Sequence, residues 1–112
     1  MEDDLVGAAR VIRIETRGRV TGRLARAVVG FVERAEGVLA VAAGSSRADW
    51  ALNLLAEPGC RVTLGDRTWA AEATELTGPA HAAAVRDLII RYGTPSEGLG
   101  AGPSFELRPR AD

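Results

Sequence analysis

Hydrophobic and polar positions alternate along much of this chain, and a period of two predicts a mainly β structure. Ile12 and Ile14 share one face of a first candidate strand, and Phe105 and Leu107 share one face of the last. The third apolar run has no polar side, so we expect a buried strand with neighbours on both edges. Six strands are predicted, over residues 11–16, 23–33, 38–43, 60–64, 67–76 and 104–108.

Two further segments carry the helical period. Residues 48–57 are expected to form a short helix that follows the loop Gly44-Ser45-Ser46 and ends at Pro58-Gly59. Residues 79–92 form a longer one, with Pro79 at its first position. Glycine-containing hairpin turns are predicted at 35–37 and 65–66. Hairpins rather than strand–helix alternation favour an α+β, mainly β fold, in which an antiparallel sheet closes on itself beside two helices.

The length of 112 residues fits one domain that spans the whole chain. Residues 1–9 begin acidic and are expected to form an N-terminal arm. Residues 93–103 are rich in Gly and Pro and are expected to form a flexible loop.

Composition and charge exclude several classes of function. A net charge of −1 argues against nucleic-acid binding, which needs a basic face. With one cysteine and one histidine, Cys60 and His81, an intramolecular disulfide and a His/Cys zinc site are excluded, and no metal is expected. No apolar run reaches about twenty residues, so we expect no integral membrane segment and a cytoplasmic protein.

The small number of aromatic residues indicates a modest core, and this favours a homodimer that buries a further face. The apolar third strand and Trp69 are the candidates for that face.

A basic turn is the strongest candidate for binding chemistry. Residues 16–26 hold four arginines and two glycines between two apolar runs, with no acidic residue between Glu15 and Glu33. Backbone N–H groups and unopposed guanidinium groups in a tight turn suit a phosphate. Strand alternation places Arg26 opposite Arg23, so Arg19 and Arg23 are the stronger candidates. A merely solvated turn is the alternative.

The first helix carries a second candidate. Trp50 and Asn53 lie one helical turn apart, so an indole and an amide could border a pocket for a flat, polar ligand. Alternatively, Trp50 is a core anchor and Asn53 bonds to a loop. Ser45 and Ser46 are candidates for capping this helix and, second, for contact with a ligand ring.

Together these motifs resemble the deazaflavin-dependent nitroreductase family, a family of actinobacterial reductases with a split β-barrel fold. The resemblance covers residues 12–76. It rests on the turn Gly18-Arg19-x-Thr21-Gly22-Arg23, the helix Asp49-Trp50-x-x-Asn53-Leu54 and the segment Arg61-Val62-Thr63-Leu64-Gly65.

The resemblance implies an oxidoreductase that transfers hydride from reduced coenzyme F-420, a deazaflavin, to a small electron-poor organic acceptor. The turn would hold the cofactor's phosphate and acidic tail, and the helix start would lie along its ring. No catalytic residue is predicted. The cofactor-binding residues implied are Arg17, Gly18, Arg19, Thr21, Gly22, Arg23, Ser45, Ser46, Trp50 and Asn53.

The chain departs from the family pattern at several places. Val20 stands where the family has a second basic residue, and Ala51 stands where a tyrosine is usual. Residues 93–103 replace an aromatic-rich segment that receives the substrate. Two alternatives therefore stay open: an FMN-binding reductase of the same fold, and a non-catalytic protein that binds a cofactor or lipid.

Overall fold

The protein is described by a computed structural model, which covers residues 11–92 and 101–110. In this part of the chain every pair of neighbouring strands is antiparallel, and the sheet order is β2-β1-β5-β6-β7-β4-β3. The predicted mainly β, antiparallel fold with two helices is confirmed. The elements are β1 (Ile12–Arg17), β2 (Leu24–Val29), β3 (Val32–Ala35), β4 (Val38–Ala42), α1 (Asp49–Ala56), β5 (Gly59–Leu64), β6 (Arg67–Leu76), α2 (Gly78–Tyr92) and β7 (Ser104–Pro109).

The described residues form seven strands rather than the six predicted, because the long strand expected over residues 23–33 is broken at Gly30-Phe31. β2 pairs with β1 at one edge of the sheet, whereas β3 pairs with β4 at the other edge. The chain must therefore cross between the two edges within two residues. This crossing brings the edges together and gives the split β-barrel.

The side chain of Tyr92, at the end of α2, holds this crossing in place. Its hydroxyl accepts a hydrogen bond from the backbone N–H of Phe31 at 2.9 Å and donates one to the Phe31 carbonyl at 3.1 Å. Gly30 lies against the same ring, where a Cβ atom would come within 2.8 Å of Tyr92 Cε2. The backbone of residue 31 thus bonds to a side chain instead of a neighbouring strand, and the strand ends there.

The core fills the inside of the barrel. Ile12 and Ile14 on β1 are fully buried, as their alternation predicts, and they pack with Val62, Phe105 and Leu107. Burial of each such side chain contributes roughly 1.5–3 kcal/mol. β4 is buried at all five positions and lies between β7 and β3, as expected. Because the chain's own barrel covers this strand, the expectation that it forms a dimer face is wrong.

The two helices pack against different parts of the sheet. α1 lies against β1 and buries Ala51 and Leu54. α2 lies against β3 and β4, where it buries Ala84 and Leu88. An ion pair between Arg34 and Asp87 links α2 to β3, and hydrogen bonding to Arg34 holds the pKa of the Asp87 carboxyl below its usual range.

Some expectations concern residues other than those that the structure describes. The N-terminal arm over residues 1–9 is one of them. Of the loop over 93–103, only residues 101–103 are described, where they lead into β7. The single domain over all 112 residues therefore stays a prediction. Neither described helix has the length and apolar character that crossing a membrane would need.

Candidate functional site

The predicted basic turn connects β1 and β2, and its two glycines are there for different local reasons. Gly22 has φ +74°, a left-handed conformation that favours glycine. Gly18 donates its N–H to the Arg23 carbonyl at 2.7 Å, and a Cβ at Gly18 would lie 3.0 Å from that same oxygen. Glycine is therefore favoured by the backbone conformation at position 22 and by lack of space at position 18.

α1 holds the middle of the turn. The Asn53 Oδ1 atom accepts one hydrogen bond from the Arg19 backbone N–H at 3.1 Å and another from the Arg19 guanidinium at 2.8 Å. The Asn53 Nδ2 atom donates to the Thr16 hydroxyl on β1 at 3.1 Å. Asn53 and Thr16 are both buried, so this amide joins the helix, the strand and the turn inside the protein.

Asp49, at the first position of α1, also contacts Arg19. Its Oδ1 atom lies 3.2 Å from the Arg19 guanidinium, whose side chain is 32% exposed. The expectation of unopposed guanidinium groups is therefore wrong for Arg19. The contact between Arg19 and Asp49 was not predicted because the two residues are thirty positions apart in the sequence, although Asp49 belongs to the helix motif.

The remaining arginines of the turn are disposed differently. Arg17 donates to the Gly22 carbonyl at 2.8 Å, within the turn itself. Arg26 pairs with Glu15 on the neighbouring strand at 2.9 Å. Arg23 is exposed, and its guanidinium has no hydrogen-bond or ion-pair partner anywhere in residues 11–92 and 101–110. Among the described residues, Arg23 is thus the one arginine of the turn whose guanidinium has no partner.

Backbone donors lie beside this free guanidinium. The Arg23 N–H bonds to the Thr21 hydroxyl at 3.2 Å, and the Gly22 N–H bonds to the Gly18 carbonyl. The N–H groups of Val20 and Thr21 donate to no acceptor within the described residues. Two successive free amides next to an unpaired arginine are a donor set that fits an anionic group such as a phosphate.

Trp50 and Asn53 face different surroundings, although they are one turn apart. The half-buried Trp50 ring packs against the core, with its centroid 6.0 Å from that of Phe105 on β7. Asn53 points to β1 and the basic turn. The structure gives Trp50 the packing role and Asn53 the role of bonding to a loop, while contact of either residue with a cofactor stays a prediction.

The serines of the preceding loop do not cap α1. The helix begins at Asp49, three residues after Ser46, so its N-cap residue is Ala48. Ala48 makes no side-chain capping bond. The Ser45 hydroxyl instead accepts a hydrogen bond from the Arg47 N–H at 3.0 Å. Both serines are exposed, so their hydroxyl groups are accessible to a ligand that lies along this loop.

Solved structures of other proteins share this fold. The F420-H2 Dependent Reductase FDR-A is 21% identical, with a TM-score of 0.75 over 88% of this chain and 94% of that one. HutZ, the heme storage protein from Vibrio cholerae, is 20% identical, with a TM-score of 0.73 over 98% and 88%. A structure described as a domain-swapped dimer is 22% identical, with a TM-score of 0.73 over 88% and 80%.

At these identities the likeness establishes the fold alone. No curated protein matches the sequence. A family model, described as F420H(2)-dependent quinone reductase, matches residues 3–93 and so includes the basic turn and both helices. The match confirms the deazaflavin-dependent reductase relationship inferred from the motifs, and the chain belongs to the F420H(2)-dependent quinone reductase family.

Proposed function

We propose that this protein is an oxidoreductase that uses reduced coenzyme F-420 to transfer hydride to a small, electron-poor organic acceptor. The observation that carries the proposal is the free donor set of the β1–β2 turn, in a chain of a deazaflavin-dependent family. When bound, the deazaflavin supplies the hydride chemistry. The chain's own residues bind the cofactor, orient it and limit the access of water.

The residues of the turn would have different roles in binding the cofactor. The Arg23 guanidinium and the amides of Val20 and Thr21 would receive the phosphate of the cofactor tail. Arg17 and Gly22 shape the turn through their mutual hydrogen bond. Arg19 would act on the anion from a guanidinium already fixed by α1, which lowers the entropy lost on binding.

The ring of the cofactor would lie along the loop that precedes α1. Ser45 and Ser46 are exposed there, and the half-buried Trp50 at the start of the helix would form the adjoining wall. A flat ring system beside a half-buried indole gains apolar contact, and the serine hydroxyls supply hydrogen bonds to its polar edge.

The test compares cofactors on one preparation of the apoprotein. Binding of F-420 and of FMN is measured by fluorescence titration, and reoxidation of reduced F-420 is then followed with a quinone as acceptor. We expect F-420 to bind more tightly than FMN and to be reoxidised by the protein. Preference for FMN would support the flavin reductase instead. Binding without turnover would leave a non-catalytic carrier.

We further propose that the protein is a cytoplasmic homodimer. In support, a structure of the same fold is described as a domain-swapped dimer. Trp69 remains a candidate for the interface because its side chain is only half-buried and so keeps an accessible part. Sedimentation equilibrium at micromolar concentration should give twice the chain mass of 11.8 kDa. A monomer alone would refute the dimer.

A further inference from the structure

An open cleft of about 470 Å³ lies where α1, the start of α2 and the segment before β7 meet. Leu55, Leu76 and Pro103 give it apolar walls, and Glu75 places a carboxylate at its edge. Ser46 also lines the cleft, so it adjoins the loop along which the cofactor ring is proposed to lie. The cleft is therefore placed to hold a second molecule beside that ring.

His81, the chain's single histidine, lines this cleft from the first turn of α2. Its Nδ1 atom lies 2.7 Å from the hydroxyl oxygen of Ser104, the first residue of β7. Ser104 is completely buried, whereas the His81 side chain is only half-buried. The imidazole thus has one nitrogen fixed against the barrel, and its Nε2 atom has no partner within the described residues.

The burial of Ser104 favours one direction for its hydrogen bond with His81. A buried hydroxyl that donates to no acceptor is costly, and His81 Nδ1 is the partner that the described residues give to the Ser104 hydroxyl. This favours the arrangement in which the hydroxyl donates and Nδ1 accepts. A neutral imidazole that accepts at Nδ1 carries its proton on Nε2. In this arrangement His81 holds an N–H donor at Nε2, the nitrogen without a partner in the part of the chain that the structure describes.

We propose that this cleft binds an uncharged, planar carbonyl compound and that the His81 Nε2–H group donates a hydrogen bond to its carbonyl oxygen. The apolar walls favour a planar hydrocarbon framework, and the Glu75 carboxylate disfavours an anion. This inference rests on the proposed function, since the compound is the hydride acceptor. Ser104 is a positioning residue that fixes the His81 tautomer. A hydrogen bond to the carbonyl oxygen strengthens as that oxygen gains negative charge.

The test can be made without any cofactor, because one histidine gives one set of imidazole signals. A long-range ¹H–¹⁵N spectrum of untagged apoprotein at pH 8.5 reports the tautomer of the neutral ring. We expect the Nε2–H tautomer in the wild type and a mixture of both tautomers in Ser104→Ala. A wild-type spectrum dominated by the Nδ1–H tautomer would overturn the assignment.

The same spectrum serves for ligand binding, with menadione as the probe. We expect menadione to shift the His81 Nε2 signal and to saturate, and the anionic naphthoquinone sulfonate to bind more weakly. His81→Phe should lower the affinity for menadione about tenfold, the usual worth of a lost hydrogen bond. Arg86→Ala, on an exposed position of the same helix, is the matched control and should leave the affinity unchanged.

Failure of this inference is distinguishable from failure of the proposed function. If menadione leaves the His81 signals unchanged, the cleft is not the acceptor site, whatever the cofactor does. If the reductase turns over and His81→Phe has the wild-type KM for menadione, the cleft proposal also fails. If menadione binds as expected but reduced F-420 is never reoxidised, the proposal that the cleft binds a carbonyl compound is retained and the proposed reductase activity is refuted.

Discussion

The buried carboxamide of Asn53 accepts two hydrogen bonds from Arg19, one from its backbone N–H at 3.1 Å and one from its guanidinium at 2.8 Å. The two residues belong to motifs that lie more than thirty positions apart. Their contact makes the helix start and the basic turn one structural unit. We therefore expect Asn53 to act on the proposed anion site through the position of the turn.

The first prediction concerns the stability of this unit. Asn53→Ala removes an acceptor from Arg19 and a donor from Thr16, so we expect a loss of about 1–3 kcal/mol in the free energy of unfolding by urea. Ser46→Ala, an exposed polar change in the loop before α1, is the control and should cost less than about 0.5 kcal/mol. Combining Asn53→Ala with Thr16→Val should be less destabilising than the sum of the two. Strict additivity would show that the two side chains do not interact.

The second prediction distinguishes two of the four arginines of the turn, Arg19 and Arg23. Arg23→Ala should weaken F-420 binding by about 1.5–3 kcal/mol and leave the free energy of unfolding nearly unchanged, because the side chain is exposed and unpaired within the described residues. Arg19→Ala should weaken binding and also destabilise the fold by about 1 kcal/mol, because it removes a bond to the buried Asn53. Fluorescence titration and urea unfolding measure the two effects.

Arg86→Ala is the control for both variants, since Arg86 lies on α2 and pairs only with the neighbouring Asp87 among the contacts described. Arg91 is unsuitable for this purpose because its guanidinium lies 4.6 Å above the Phe31 ring. An unchanged affinity in Arg23→Ala would place the cofactor tail elsewhere.

The third prediction concerns the crossing between β2 and β3. Tyr92→Phe removes the hydroxyl that satisfies both backbone groups of Phe31, and we expect a loss of about 1–3 kcal/mol in the free energy of unfolding. Gly30→Ala should be destabilising as well, because its Cβ would lie 2.8 Å from the Tyr92 ring. Gly44→Ala, where a Cβ would meet nothing within 4 Å, is the matched control. Equal stability of the two alanine variants would contradict this account.

The fourth prediction is a pH dependence. Burial raises the pKa of the Cys60 thiol to about 11, and the nearby Arg110 offsets only part of this effect. Because the folded-state pKa lies above the ordinary value of 9.0, the neutral thiol stabilises the fold below pH 9. This contribution is lost as the pH rises from about 9 to about 11. The difference in unfolding free energy between wild type and Cys60→Ala should therefore shrink over that pH range. A difference that stays constant would refute the raised pKa of the Cys60 thiol.

The sequence pattern predicted those parts of the fold in which burial follows local periodicity. β1 and β4 are examples, since the alternation of Ile12 and Ile14 and the unbroken apolar run of β4 both report burial directly. The break at Gly30 was not predictable in this way. The run from Val28 to Val32 stays apolar, and the residue that ends the strand, Tyr92, lies 61 positions after Phe31.

The candidate site shows the same limit. Local composition identified the basic turn and its glycines, because positive φ and close backbone approach leave a signature at single positions. It did not identify which arginine has no partner within residues 11–92 and 101–110. That depends on Asp49 and Asn53, which come from α1 and neutralise or bind Arg19 across the fold. The His81–Ser104 pair was missed for the same reason, since 23 positions separate a helix residue from a buried serine.

The central claim is that the β1–β2 turn binds the phosphate tail of a deazaflavin. It is tested most directly by titrating the wild-type protein with F-420 and with the same deazaflavin lacking its phosphate tail, at low and at high salt. The account predicts that F-420 binds more tightly by about 1.5–3 kcal/mol and that this advantage shrinks at high salt, because the ionic contact is screened. Equal affinity for the two compounds at low salt would contradict it.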